Sequence, residues 1–346
     1  MRAGIGSRPW VGLDLGTYSV KAVAAQGAVG GPRFRAAEVP LMGLDDQPDR
    51  SPPADLVARL VSDALGQIDL SPRAARGLSV SVSGPDVIVK QITLPLLDES
   101  EVGPALRFEA RKHLPFDPQT MVIDFQVLGR YPSERKLDIL LAAVARDHLE
   151  RHLGPLRLLG IDPEIVDAAP LALANAIAED PDLGEDAHVL LDLGNHSSHL
   201  TIYQRGQPFF ARRFDYGGRH LTRAVAADGR IPFHEAEEWK LVVSGDQPGL
   251  RVDWESPEFQ AIQESLRRDL VDELLRSFAF YRTQAPLPTL SRLWLSGGSA
   301  RLPGLTNRLG EMLNVPVLLF DPLRRGADHA AGPQFAQAYG LTLRAS

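Results

Sequence analysis

A chain of 346 residues, 44% of them hydrophobic, is long enough for two cored domains and excludes a small stapled scaffold. It contains no cysteine, which excludes disulfides, thiolate metal sites and cysteine nucleophiles and fits a reducing compartment. Lysine and arginine number 37 against 44 aspartates and glutamates, a net charge of -7 without a concentrated basic block, so nucleic acid is not an expected partner.

The N-terminal MRAGIGSRPW is basic but reaches Asp14 without the apolar core of a secretory signal. The most apolar windows, LDILLAAVAR and PLALANAIA, fall far short of the roughly 20 residues that cross a bilayer. No direct membrane insertion is expected; a cytoplasmic location is, with any membrane contact made through a partner.

VGLDLG alternates, with Val11, Leu13 and Leu15 on one face and Gly12, Asp14 and Gly16 on the other. A carboxylate between residues without side chains marks either a tight hairpin with a solvated aspartate or a place where a ligand approaches the main chain. After the turn at Gly16 to Tyr18 come a second strand, SVKAVAAQ, the turn GAVGGP and a third strand, RFRAAEV. The loop PLMGLDDQPDRSPP leads to a helix, ADLVARLVSDALGQI, whose Leu56, Val57, Leu60, Val61, Ala64, Leu65 and Ile68 form one stripe.

LSVSVSG and VIVKQITLP predict two strands, Glu99 to Leu114 a helix in spite of Gly103 and Pro104, and VIDFQVLG and KLDILLAAVA two more strands. Together they read as a small α/β subdomain inserted into the first lobe. The helix RDHLERHLGPLRLLG and the strand IDPEIVDAAP follow, and the acidic AEDPDLGED connects to the second half.

There the order of three strands and a helix returns. HVLLDLG turns at Asn195 to Ser197 into SHLTIYQ, RGQP turns into FFARRF, and the helix GGRHLTRAVAAD comes next. Two DLG tripeptides in matching surroundings predict a duplicated lobe. HEAEEWKLVV is then a short helix and SGDQPGLRVDWESPE a loop. SPEFQAIQESLRRDLVDELLRSFAFYRTQ is one long helix with Phe259, Ile262, Leu266, Leu270, Leu274, Phe278 and Tyr281 on its apolar side. LWLSGGSARLPGLTNRLGEML reads as a buried strand, a glycine turn and a helix with Pro303 in its first turn.

Two such hairpins facing each other across a cleft suit a polyphosphate bound with a divalent ion. Turn N–H groups and the hydroxyls of Thr17, Ser19 and Ser197 can donate to phosphate oxygens, and Lys21 adds a point charge. Asp14 and Asp192 only accept, so beside phosphate they need magnesium or its water shell between. The third glycine turn carries neither lysine nor carboxylate and suits the wall of a flat base or ribose, with Gly297 and Gly298 bare and Arg301 able to stack. Glu237, Lys240, Leu241 and Ser244 share a helical face, where the residues alone favour a surface Glu-Lys pair. His196 and His199 fall on opposite faces of a regular strand. His148 and His152 are spaced for a metal on a helix, lack a third ligand nearby in sequence, and are expected on a solvated face.

VGLDLGTYSVK, VLLDLGNHSSHL, EAEEWK and LSGGSARLPGL together resemble the phosphate and adenosine motifs of the actin-like ATPase superfamily. Four further stretches narrow the resemblance: VIVKQITLPLLDESEVGPALRFEARKHLPFDPQTMVIDFQVL, VARDHLERHLGPLRLLGIDPEIVDAAPLALANAI, FFARRFDYGGRHLTRAVA and FAQAYGLTLR. From Trp10 to Arg344 the chain is similar to the PilM family, cytoplasmic actin-like proteins of type IV pilus assembly.

The resemblance implies duplicated ribonuclease H-like lobes, the first from 10–77 and 147–180 and the second from 181–346 with an extension at about 230–285. A small subdomain of the type found in the cell-division protein FtsA would occupy 78–146. It implies ATP with Mg2+, the ion facing Asp14 and Asp192 through water. Gly16, Thr17, Tyr18, Ser19 and Lys21 would form the first phosphate loop, and Gly194, Asn195, His196 and Ser197 the second. Gly217, Gly218, Glu237, Lys240, Ser244, Gly297, Gly298, Ser299 and Arg301 would surround the adenosine. Asn195 and His196 stand where many relatives carry small residues, a departure that bears on hydrolysis more than on binding, and no catalytic residue follows. The implied function is an ATP-binding scaffold that holds the cytoplasmic N-terminal peptide of the inner-membrane protein PilN, beside other pilus or secretion platform proteins and an assembly motor. The alternatives are a standalone component of a type II secretion platform and, on the same fold, an ATPase or small-molecule kinase.

Overall fold

A computed structural model describes residues 8–28, 31–41, 52–71, 77–178, 186–204, 207–245, 252–284, 290–324 and 332–345. The alternation of the opening strand places Val11 and Leu13 in a core. It pairs β1 (Trp10–Leu15) antiparallel with β2 (Ser19–Ala28), Asp14 directly opposite Lys21. β3 (Gly31–Pro40) completes the meander, and α1 (Ala54–Gln67) packs Val57, Val61, Ala64 and Leu65 on it. Most of the loop expected before α1, most of the connector expected at 178–186 and the central part of the loop expected at 244–258 lie outside the described residues.

β4 (Gly77–Val82) corrects an expected boundary. Read from the sequence as opening the insertion, it instead runs parallel to β1, with all six residues buried. A strand covered on both faces needs such an unbroken run of buried residues. β5 (Val87–Pro95), α2 (Glu99–His113), β6 (Met121–Tyr131) and β7 (Lys136–Ala145) make the inserted unit, an antiparallel sheet of order β5-β7-β6. Val102, Leu106 and Ala110, one helical turn apart, bury α2 against it.

α3 (Arg146–Leu158) returns to pack Leu153 and Leu156 into the first core, and β8 (Ile165–Ala168) runs parallel to β4. The strand expected to 170 stops at Ala168, and the Ala- and Leu-rich run after it forms α4 (Ala169–Ala178), a helix the strand expectation missed.

In the second half β9 (Ala187–Leu193), β10 (Ser198–Gln204) and β11 (Gln207–Phe214) repeat the meander, followed by α5 (Gly218–Gly229) and α6 (Phe233–Val243). The long helix is α7 (Pro257–Ser265), a π-helical segment Leu266–Val271 and α8 (Asp272–Gln284). Its apolar positions 262, 266, 270 and 274 are four apart, so on a regular α-helix the stripe would drift by about 40° per step. The wider π turn keeps all four buried. β12 (Leu290–Ser296), α9 (Leu305–Leu313) and β13 (Val317–Leu319) follow. Pro303, expected in the first turn of α9, precedes it, because Gly304 takes a left-handed conformation before Leu305.

The sheet orders are β3-β2-β1-β4-β8 and β11-β10-β9-β12-β13, an antiparallel meander extended by two parallel strands in each case. The duplication read from the two DLG tripeptides is therefore one of topology. α10 (Ala336–Thr342), late in the chain, lies on β1, β2 and β4 of the first sheet and against α4. α4 in turn packs Leu173, Ala174 and Ile177 with Leu190, Tyr203 and Trp294 of the second sheet. A division at 181 therefore does not separate two self-contained units. Gly12, expected beside Asp14 on the ligand face, lies under α10, where a Cβ would stand 2.1 Å from the Ala338 carbonyl oxygen. Among the described residues no helix is long and apolar enough to cross a membrane.

Candidate functional site

β1 and β9 occupy the same place in their two sheets, and the turns that follow them open onto one cavity of about 1000 Å³. Asp14, Gly16, Thr17, Tyr18, Ser19 and Lys21 line it from one side, and Asp192, Gly194, Asn195, His196 and Ser197 from the other. Glu237, Lys240 and Ser244 of α6 and its C-terminus, and Gly297, Gly298, Ser299 and Arg301 after β12, close a third wall.

Gly217 and Gly218 are the two expected residues that do not line it. The Gly218 N–H donates to the Gly194 carbonyl at 2.8 Å and the Arg219 N–H to that of Asn195 at 3.0 Å. The N-terminus of α5 thus supports the second turn from behind, satisfying its own first donors in doing so.

Asp14 accepts from Lys21 Nζ at 3.3 Å and from Gln337 Nε2 of α10 at 2.8 Å. The same Gln337 nitrogen reaches Ser81 Oγ at 2.8 Å. Burial opposes the charge of Lys21, but Asp14, Glu38 and Asp192 outweigh it and hold the ammonium above the ordinary lysine range. Ser19, expected to donate to phosphate, is committed elsewhere: it is fully buried and its hydroxyl donates to Glu38 Oε1 at 2.7 Å. The Gly16 N–H closes the hairpin on the Ser19 carbonyl at 3.1 Å. Burial, then Glu237 and Glu38, push the Tyr18 phenol up.

Asp192 has a Ser296 hydroxyl at 2.9 Å. Burial, reinforced by Asp14 and only partly offset by that hydrogen bond, raises its carboxyl to about 6. The two aspartates therefore feel each other across the cavity. In the third turn Gly297 has φ 90, and a Cβ there would stand 2.4 Å from the Leu193 carbonyl oxygen, so its bareness serves backbone packing. Gly298 has nothing within 4 Å of a Cβ position and presents open backbone.

The surface reading of the Glu237-Lys240 pair is overturned. Their side chains are only 18% and 10% exposed, and Lys240 Nζ donates to Glu237 at 2.8 Å, Thr222 Oγ1 at 2.7 Å and the Gly218 carbonyl at 3.1 Å. All three ammonium protons are used, because α5 presents acceptors to α6. Burial lowers the Lys240 pKa in spite of Glu237.

The histidines also depart from expectation. His148 and His152 face the cavity instead of solvent; His148 Nδ1 lies 3.4 Å from Asp86 Oδ2, and His152 Nε2 donates to the Ser81 carbonyl at 2.8 Å. His196 and His199 both line it too, since His196 sits in the turn, where strand alternation does not apply. Glu38, Ser81, Ser83, Gln334 and Gln337 are cavity residues that sequence reasoning missed. Gln334 and Gln337 had a signal, two amides three residues apart in an otherwise apolar run.

Two lobes of like topology around a shared cleft define this protein as one of the actin-like ATPase fold. Residues 12–345 match the type IV pilus assembly protein PilM family, and the chain belongs to it. A chain of a solved PilM-PilN type IV pilus biogenesis complex is similar at 27% identity and a TM-score of 0.79, covering 96% of this chain and 97% of that one. Ethanolamine utilization protein EutJ from Carboxydothermus hydrogenoformans shares the fold at a TM-score of 0.56 and 16% identity, over 98% of this chain and 90% of its own. Cell division protein FtsA of Borreliella burgdorferi is 22% identical over 207 residues, 53% of this chain and 48% of FtsA. The chain spans about half the length of the curated relatives it matches.

Proposed function

We propose that the chain binds ATP with Mg2+ in the cleft and acts as a scaffold in type IV pilus assembly. The observation that carries this reading is the placement of Asp14 and Asp192 on opposed hairpins of one cavity. The donor set fits a divalent ion. Asp192 is a half-buried cavity carboxylate with one hydroxyl partner, raised by desolvation and then by Asp14, and a cation beside it would relieve both penalties. Among the described residues no group of three or more His, Cys, Asp or Glu side chains gathers, so such an ion would draw its remaining ligands from phosphate and water. When bound it neutralises phosphate charge beside the two acceptors.

Thr17 and the backbone of the second turn would meet the phosphates, while Arg301 and the open backbone at Gly298 would meet the base. The cavity carboxylates Asp14, Glu38, Asp192 and Glu237 each accept a hydrogen bond from a protein donor, which fixes their orientation.

The partner is a PilN-like inner-membrane protein, held through its cytoplasmic N-terminal peptide, and it brings this chain to the cytoplasmic face of that membrane. Support comes from the similar chain of the PilM-PilN complex. The family match favours the pilus over a type II secretion platform. A nucleotide that fixes the angle between the lobes would shape a peptide groove beside the inserted unit. The test is calorimetric titration with ATP and magnesium for the wild type and Asp14→Ala, then with the peptide in the presence and absence of ATP. Saturable binding lost in Asp14→Ala, with peptide affinity altered by ATP, is expected. Equal binding by both proteins would overturn the assignment of the site.

A further inference from the structure

The root of the inserted unit is held from both halves of the chain. Residues 81–86 leave the end of β4, the strand next to the one that carries Asp14, and enter β5 at Val87. Most of their partners belong to the first half or to α10: His152 on the Ser81 carbonyl, Gln337 on the Ser81 hydroxyl and His148 beside Asp86. His148 also closes over Gly84, where a Cβ would lie 2.2 Å from its ring.

Ser83 differs. Its Oγ lies 2.9 Å from Nε2 of His199, a residue of β10 in the second sheet that is 6% exposed. Arg213, opposite His199 on β11, stands beside it. His199 Nδ1 and Arg213 Nε are both buried without a hydrogen-bond partner. Both residues also line a second hollow, of about 30 Å³, walled by Gly84, Val87 and Val89 at the insertion root and by Ala211 of β11. A hollow of that size with polar nitrogens on one wall is suited to a bridging water. The second half therefore touches the insertion root directly through Ser83 and across this hollow. His199 lies two residues beyond Ser197, the last residue of the turn that faces the main cavity.

We infer that the Ser83-His199 contact is the regulatory link between the cleft and the inserted unit: filling of the cleft moves the second turn, and His199 passes that movement to Ser83 and β5. The inference rests on the reading of the cleft as a nucleotide site. It makes one hydrogen bond between the lobes, with its neighbouring hollow, a two-state element that ligand and insertion both bias.

The test uses the full chain as wild type, Ser83→Ala, His199→Ala and the double variant. Each is titrated with ATP and magnesium by calorimetry, and amide exchange over residues 84–95 and 190–200 is then followed with and without nucleotide at a level that saturates that variant. In the wild type both segments should gain protection, several-fold in rate. In Ser83→Ala the change at 190–200 should persist while that at 84–95 falls by at least half, and the double variant should lose no more than either single one. Wild-type binding without a change at 84–95, a Ser83→Ala response equal to wild type, or additive losses in the double variant would each overturn the link alone. No heat and no change at 190–200 in the wild type would overturn the nucleotide reading, and the link with it.

Discussion

Asp192 and His199 sit directly opposite each other on β9 and β10, and their pKa values are driven in opposite directions by the same cause. Burial raises the aspartate to about 6 and lowers the histidine to about 4, so each is held towards its neutral form.

The two shifts give opposite pH dependence. Asp192 keeps, in the folded chain, a proton that the unfolded chain has released, so its contribution is favourable at low pH and is lost as pH rises from about 4 to about 6. His199 refuses a proton that the unfolded chain accepts, so stability is lost as pH falls from 6.5 to about 4. Each amounts to about 3 kcal/mol, and together they nearly cancel. Relative to wild type in a chelating buffer, Asp192→Asn should lose stability on acidification from pH 6 to pH 4, and His199→Asn should gain it. Urea unfolding at five pH values measures both slopes, and parallel curves for the three proteins would contradict the assignment.

Lys21 is the ammonium that neutralises Asp14, and its side chain is only 11% exposed. Lys21→Met leaves a largely buried carboxylate with the Gln337 amide alone, a change expected to cost about 3 kcal/mol in chemical denaturation. The double variant Lys21→Met/Asp14→Asn should recover much of that loss, because the unpaired charge is gone.

Neighbouring glycines should separate folding from binding. Gly297→Ala forces a left-handed φ on a residue with a Cβ and drives that atom into the Leu193 carbonyl, so a loss of about 2 kcal/mol or more is expected. Gly298→Ala meets nothing within 4 Å and should unfold within about 0.5 kcal/mol of wild type while weakening nucleotide binding. Thermal melting and calorimetry on the same two samples decide the matter.

Thr222 ties α5 to α6 through Glu237 and Lys240. Thr222→Val keeps the shape and removes the hydroxyl, leaving one proton of the buried ammonium without an acceptor. A loss of about 1 to 3 kcal/mol is expected, with the transition at neutral pH as the readout.

What the sequence makes legible is local. Alternation in VGLDLG places Val11 and Leu13 in a core and turns Asp14 to the cavity, and the repeated DLG order predicts two sheets of one topology. The same alternation puts Gly12 beside Asp14, yet what covers Gly12 is Ala338 from the far end of the chain, a contact with no local trace. The histidines follow from the misassigned strand. Once β4 is placed in the first sheet, its end meets α3, and His152 finds the Ser81 carbonyl instead of solvent. Spacing of four on a helix fixes which residues share a side, not what that side will touch.

The crossing of α4 and α10 has a consequence for biosynthesis. Val23 and Phe34 share a cluster with Phe335 and Ala338, which leave the ribosome long after them. The first sheet must therefore wait, one apolar face uncovered, until α10 has emerged, and termination before residue 336 would leave that face exposed to chaperones and proteases.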